Sequence, residues 1–223
     1  MHQSSMRAMK HFVSTYLRPF AGKPLRILDV GSMNVNGSYR ELMTDPKWRY
    51  TGLDAAPGPG VDVVLPTPYD WGVIRSGSFD VVVSGQAFEH IEYPWVTILE
   101  VTRVLKPGGI VCLIAPSGGH EHRFPVDCWR YYPDGMAALA RWADLDVVTC
   151  ETNWTPQGPF DDDSADWKDT VLVARKRDWA VARSLKTRIK LAVIRRVNMF
   201  QATRRQSIVL PDRHEEVRAL AHS

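Results

Sequence analysis

Two groups of residues in this chain have the types and spacing to do chemistry. The first pairs a glycine turn with a distant carboxylate. The run from Leu25 to Gly31 (LRILDVG) reads as a buried strand that breaks into a turn. Gly31 has no Cβ where the backbone must approach a ligand, Asn36 and Gly37 can take turn conformations, and Ser38 can cap a following helix. A second apolar run, Tyr50 to Asp54, ends in a carboxylate about 25 residues after Asp29, near the separation at which an acidic group holds the two hydroxyls of a ribose. The second group is the segment from Ala115 to Gly135, which holds His120, His122, Asp127 and Arg130 among Trp129, Tyr131 and Tyr132. A histidine titrates near neutral pH and can take a proton from a reacting group. Asp127 could orient the imidazole or bind a hydroxyl, and Arg130 could pair with Asp127 or with an anionic acceptor. The plainer reading is of solvated loop histidines and an Asp127–Arg130 ion pair that fastens the loop. A His-x-His pair with an aspartate could also take a divalent ion, but mixed spacing in a loop is weak metal evidence, and no metal is expected.

Positioning these groups requires an alternating fold. Met6, Met9, Phe12, Val13, Tyr16 and Leu17 recur at helical spacing, which predicts an amphipathic helix over about residues 4–18, ended by Arg18-Pro19. Strands are predicted at Leu25–Val30, Arg49–Leu53, Val61–Leu65, Phe79–Val83, Ile110–Ala115, Asp146–Glu151 and Thr170–Ala174. Helices are predicted at Tyr39–Met43, Trp95–Val104 and Pro133–Trp142, with Lys106 to Gly109 turning the chain into the fifth strand and a loop from Asn153 to Asp169. Apolar strands alternating with helices imply a mostly parallel sheet covered on both faces. Gly85 and Gln86 then fall just past the carboxyl end of the fourth strand, where ligands bind in such sheets.

With 223 residues, 44% hydrophobic and 24% charged, the chain is long enough for one substantial core. No run of about 18 apolar residues is present and the N-terminus lacks a signal-type apolar core, so a cytoplasmic protein without a membrane span is expected. Cys112, Cys128 and Cys150 are odd in number and lack CxxC spacing, against a disulfide framework or a zinc site. Charge is distributed unevenly. Residues 1–174 carry 15 basic and 21 acidic side chains, a balance of −6, whereas residues 175–223 carry 13 and 4, a balance of +9.

Taken in order, the segments resemble the class I S-adenosylmethionine-dependent methyltransferases of the small-molecule type. The likeness spans about Leu25 to Lys176. It rests on the run from Ile27 to Gly31, on Gly52 to Asp54, on the run FDVVVSGQAFEH from Phe79 to His90, and on EVTRVLKPGG from Glu100 to Gly109. A dinucleotide-binding dehydrogenase competes on the glycine turn alone but explains neither of the last two segments. The resemblance implies a Rossmann-like three-layer α/β sandwich with a seven-stranded, mostly parallel sheet whose last strand is antiparallel. It also implies S-adenosylmethionine as cofactor, contacted by Asp29, Gly31, Asn36, Gly37, Asp54, Ala55, Gly85, Gln86 and His90. The sulfonium is a good leaving group, so the protein mainly orients the acceptor and manages its proton. His122, with His120 second, is the expected general base, Asp127 its partner, and Arg130, Trp129 and Tyr132 the acceptor contacts. The segment from His122 to Arg130 is similar to one in bacterial methyltransferases of glycan and polysaccharide pathways, which implies a sugar hydroxyl as acceptor. Transfer to nitrogen, carbon or RNA, and a scaffold that binds cofactor without chemistry, are the competing readings.

The domain reading is a methyltransferase unit over residues 1–176 and a basic helical extension over 177–223. In the extension Leu185, Ile189, Val193, Val197 and Phe200 recur near helical spacing among basic residues. Docking on the acidic body is expected, with a homodimer contact, an anionic membrane surface or nucleic acid as alternatives. Without the interleaved aromatics of a single-strand platform, nucleic acid is not the expected partner.

Overall fold

The computed structural model describes residues 2–65, 67–178, 189, 192–194, 196 and 197. Seven strands form one sheet: β1 (Leu25–Val30), β2 (Trp48–Asp54), β3 (Val63–Val64), β4 (Phe79–Gly85), β5 (Leu105–Pro116), β6 (Leu145–Thr152) and β7 (Asp169–Lys176). Their order is β3-β2-β1-β4-β5-β7-β6. The pairs among the first five are parallel, and β7 lies antiparallel between β5 and β6. Connections reverse direction between β1 and β4, which makes that gap the switch point of the sheet.

Alternation along the strands sends side chains to two cores. Ile27, Val81, Val83, Ile110, Cys112, Ile114 and Val173 pack with Met9, Phe12 and Leu17 of the N-terminal segment and with Tyr39. Their neighbours Leu28, Val82, Val111, Leu113 and Leu172 pack on the other face against α2 (Pro94–Val104) and α3 (Pro133–Trp142). The Rossmann-like three-layer sandwich expected from the sequence is therefore observed, with its antiparallel last strand.

Several elements differ from expectation, three of them for local reasons that bear on the site's support. The N-terminal helix is α-helical only over α1 (Gln3–Phe12), then widens to a π-turn at Val13–Leu17 and tightens to a 3₁₀ turn at Arg18–Phe20. Pro19 offers no N–H and its ring crowds the carbonyl four residues back, so regular pairing fails ahead of it. Lys106 to Gly109 is not a turn before β5 but an irregular part of it, between the Phe79–Leu105 and Val81–Ile110 pairs. Asp80 fixes this bulge: Oδ1 meets Lys106 Nζ at 2.6 Å, while Oδ2 accepts the Arg26 N–H at 2.9 Å. The loop between β6 and β7 contains a short helix, α4 (Ser164–Trp167), that brings Trp167 into the interior.

No helix among the described residues is long and apolar enough to cross a membrane. Most of the predicted basic helix lies outside the described residues. Those that are described, 189, 192–194, 196 and 197, are helical, with Ile194 packed against the core and Ile189, Val193 and Val197 exposed.

Candidate functional site

The carboxyl ends of β1, β2 and β4 converge on the switch point. Gly31 has φ of +79°, and a Cβ there would lie 2.3 Å from the Ala87 Cβ. The close neighbour of Gly31 is thus the loop after β4, not open space for a ligand. Its amide and that of Ser32 donate to the Leu53 carbonyl at 2.8 and 3.2 Å, and the Gly37 amide donates to Asn34 Oδ1 at 2.8 Å. These amides hold the turn together instead of pointing outward. Ser38 accepts from the Arg40 amide as a cap, although the element that follows is a single 3₁₀ turn, Tyr39–Leu42. Asn36 is exposed at the loop tip. Gly85 is small because the buried Tyr39 hydroxyl would lie 1.8 Å from its Cβ, a packing requirement.

Two carboxylates stand ready at this edge. Asp54 accepts from the Met33 amide at 3.0 Å through Oδ2 and from the Ala55 and Ala56 amides at 2.7 and 3.3 Å through Oδ1. A carboxylate has about four acceptor sites, so one is left for a ligand hydroxyl, and a second would have to displace the long Ala56 bond. Asp29 is buried beneath the turn, with Tyr50 donating to Oδ2 and no hydrogen-bond partner for Oδ1 among the described residues. Loss of water pushes its pKa to about 7, partly countered by the Tyr50 bond and reinforced by the Asp54 charge. Gln86 has φ of +54° and donates Nε2 to Asp169 Oδ1 at 2.8 Å, while its own buried Oε1 accepts nothing among the described residues.

Beyond β4 and β5 a second cluster forms. The 3₁₀ turn Phe88–His90 buries Glu89 fully and leaves His90 half-buried. His90 Nδ1 lies 2.6 Å from the Val126 carbonyl, so this nitrogen carries the proton and Nε2 keeps a free lone pair. The His122 ring sits 4.8 Å from that of His90 and 4.5 Å from that of Trp167. Desolvation leads in lowering both histidine pKa values; His90 adds to the effect on His122, and Val126 and Asp127 oppose it at His90. Glu89 goes the other way: burial pushes it up to about 8, opposed by the approach of its own backbone amide and by the Arg130 charge, with Asp169 and Asp127 adding to the rise.

Asp127 and Arg130 hold the loop. Arg130 binds Asp127 through both carboxylate oxygens at 2.6 and 2.8 Å and donates to the His120 carbonyl at 2.7 Å. The His122 amide donates to Asp127 Oδ2 at 2.8 Å. Burial would raise the Asp127 pKa, but these bonds and the Arg130 charge hold it below the usual range. The structure thus brings His90 and His122 together with Glu89, which sequence reasoning did not place in the site. His120 is exposed, its ring 6.3 Å from that of His122. Trp129 donates to the Ile91 carbonyl and faces Trp95, and Tyr132 lies near Trp154, both outside the cluster. The signal that could have placed Glu89 was its adjacency to His90 one 3₁₀ turn past a buried strand. A groove of about 450 Å³ between Asn34, Arg40 and Asp62 borders the first-strand loop, and no histidine lines it.

Residues 28–113 match the methyltransferase domain family. The chain has the class I methyltransferase fold. An uncharacterized methyltransferase of Mycobacterium leprae is 31% identical over 151 residues, which cover 59% of this chain and 51% of that one. This chain thus spans about half the length of the curated relatives it matches. Among solved methyltransferase folds, the Burkholderia thailandensis 1,6-didemethyltoxoflavin-N1-methyltransferase, bound to 1,6-didemethyltoxoflavin and S-adenosylhomocysteine, superposes with a TM-score of 0.59 at 18% identity. The match covers 78% of this chain and 79% of that one. The [4+2]-cyclase SpnF superposes at 0.61 with 16% identity, over 77% and 81% of the two chains. At these identities the likeness concerns the fold alone.

Proposed function

We propose that this protein is an S-adenosylmethionine-dependent methyltransferase that moves a methyl group to a hydroxyl of a small molecule, of the sugar or saccharide class. The observation that carries the reading is a histidine pair, kept neutral by desolvation, at the carboxyl edge of β4 and β5, on the same side of the sheet as Asp29 and Asp54. The cofactor supplies an activated methyl group together with its leaving group. Asp54 accepts the ribose hydroxyls, with Ala55 beside the base. Asp29 Oδ1 and Gln86 Oε1, buried acceptors without partners among the described residues, suit the ammonium of an amino-acid moiety. His122 takes the acceptor proton as it is lost, and Arg130, through Asp127, fixes the loop that carries His122. The exposed Trp129 and Tyr132 rings offer flat apolar faces of the kind sugars stack on.

Residues 1–176 form the catalytic unit in this reading, and 177–223 are a basic extension that docks on the acidic body or on a second copy. Three free cysteines support a cytoplasmic setting. Transfer of labelled methyl from S-adenosylmethionine to a panel of sugars tests the proposal. His122→Ala is expected to cut turnover by roughly 10²-fold or more, with cofactor affinity little changed. Equal turnover in that variant rules His122 out as the base, and transfer to amines alone rules out the hydroxyl class.

A further inference from the structure

One ligand atom each from Glu89, His90 and His122 lie within 4.8 Å of one another. We propose that these three residues bind a divalent first-row transition-metal ion, and that this ion holds the acceptor hydroxyl during methyl transfer; the second half rests on the methyltransferase reading above.

Three observations support the site. Glu89 is completely buried, and neither carboxylate oxygen has a hydrogen-bond partner among the described residues. An ionised carboxylate in that position costs several kcal/mol unless a cation meets it. The nearby cation, Arg130, is already bound to Asp127 through both oxygens. Second, the Nδ1–H of His90 is fixed on the Val126 carbonyl, which turns the Nε2 lone pair toward Glu89 Oε1, 3.7 Å away. A ring N–H held by a backbone carbonyl is the usual outer-shell support of a metal-bound histidine. Third, the buried His122 Nδ1 has no hydrogen-bond partner among the described residues; Asp127 Oδ2, 3.4 Å away, makes no hydrogen bond to it and is held by Arg130 and the His122 amide.

Bonds of about 2.0–2.2 Å to nitrogen and oxygen put neighbouring ligand atoms roughly 3–3.5 Å apart, so the atoms, now within 4.8 Å, must draw together by up to about 1.5 Å on binding. Two imidazoles and one carboxylate favour zinc, cobalt, manganese or iron over magnesium, and three protein ligands leave positions open. An acceptor hydroxyl in an open position acidifies, its proton passes to water, and the oxygen lone pair is free to form the bond to the methyl carbon. The carbon–sulfur electron pair stays on sulfur. With the ion bound, His122 serves as a ligand, and the ion takes over the proton chemistry otherwise assigned to the free imidazole.

The rival arrangement is a proton shared between Glu89 and His90. Chelator-stripped protein titrated calorimetrically with Zn²⁺, and with Co²⁺ followed by its visible absorption, distinguishes the two. The expected result is one ion per chain, with affinity at least tenfold weaker in both Glu89→Gln and His122→Ala. S-adenosylhomocysteine binding within about twofold of wild type would certify that each variant is folded. Methyl transfer should fall on chelation and return with metal. Absent binding, binding unchanged in both variants, or full transfer by stripped enzyme overturns the proposal. Ion binding lost in the variants, without transfer to any acceptor, instead keeps the ion site and sinks the methyltransferase reading.

Discussion

Replacing Gly31 by alanine imposes two separable penalties. The backbone must keep φ of +79°, a left-handed conformation costing an L side chain about 1–2 kcal/mol. The new Cβ would also stand 2.3 Å from the Ala87 Cβ, so the β4 loop must retreat, an overpacking cost of about 1–3 kcal/mol. Together Gly31→Ala should lose about 2–5 kcal/mol in urea unfolding followed by tryptophan fluorescence. Gly22, with φ of +73° and nothing within 4 Å of its Cβ position, isolates the first penalty. Gly22→Ala should lose only about 1–2 kcal/mol. Adding Ala87→Gly to Gly31→Ala removes the collision but not the strain, and should recover about 1–3 kcal/mol beyond the small cost of Ala87→Gly alone. No coupling between the Gly31 and Ala87 substitutions would refute the packing argument for the switch point.

Further expectations concern charge. The Asp29 pKa is raised in the fold, so its contribution favours the folded state in acid and is lost as pH rises from about 4 through about 7. Asp29→Asn should flatten that part of the stability–pH curve, and an unaltered slope would place the titration elsewhere. If Asp29 meets an ammonium, S-adenosylhomocysteine binding at pH 6 should release protons, seen as a dependence of calorimetric heat on buffer ionisation enthalpy that Asp29→Asn removes. Asp80→Ala should destabilise by about 1–3 kcal/mol, through loss of the Arg26 amide bond and the Lys106 pair, with cofactor affinity unchanged. Weaker binding in a folded Asp80→Ala protein would assign Asp80 more than a scaffold role. Arg130→Ala leaves the Asp127 side chain, only 2% exposed, without its counter-charge and should open the 117–132 loop to proteolysis before the rest of the chain. Simultaneous cleavage everywhere would contradict a loop-specific role.

The sheet was legible because each strand is a short apolar run, and its two faces follow from alternation at pairs such as Ile27 and Leu28 or Val82 and Val83. β3 shrank to Val63–Val64 because it sits at the edge and pairs only with β2. The most recognisable motif residues, Asp80 and Lys106, fasten scaffold to scaffold, a role that linear spacing cannot distinguish from ligand contact. Gly31 and Gly85 were legible as special positions but not as neighbours of Ala87 and Tyr39, since those approaches join segments distant in sequence. The histidine site was half legible. His120, His122 and Asp127 lie close in the chain, yet the cluster pairs His122 with His90 and Glu89 from another loop, while Asp127 turns to Arg130. Tertiary packing makes that choice, and local sequence carries no trace of it.

Calorimetric titration of S-adenosylhomocysteine into wild type and Asp54→Ala tests the central claim most directly, because every assigned role depends on that pocket. Micromolar binding by the wild type, lost in a folded Asp54→Ala protein, is the predicted result. A folded wild type that binds none, or a variant that binds equally well, would contradict the account.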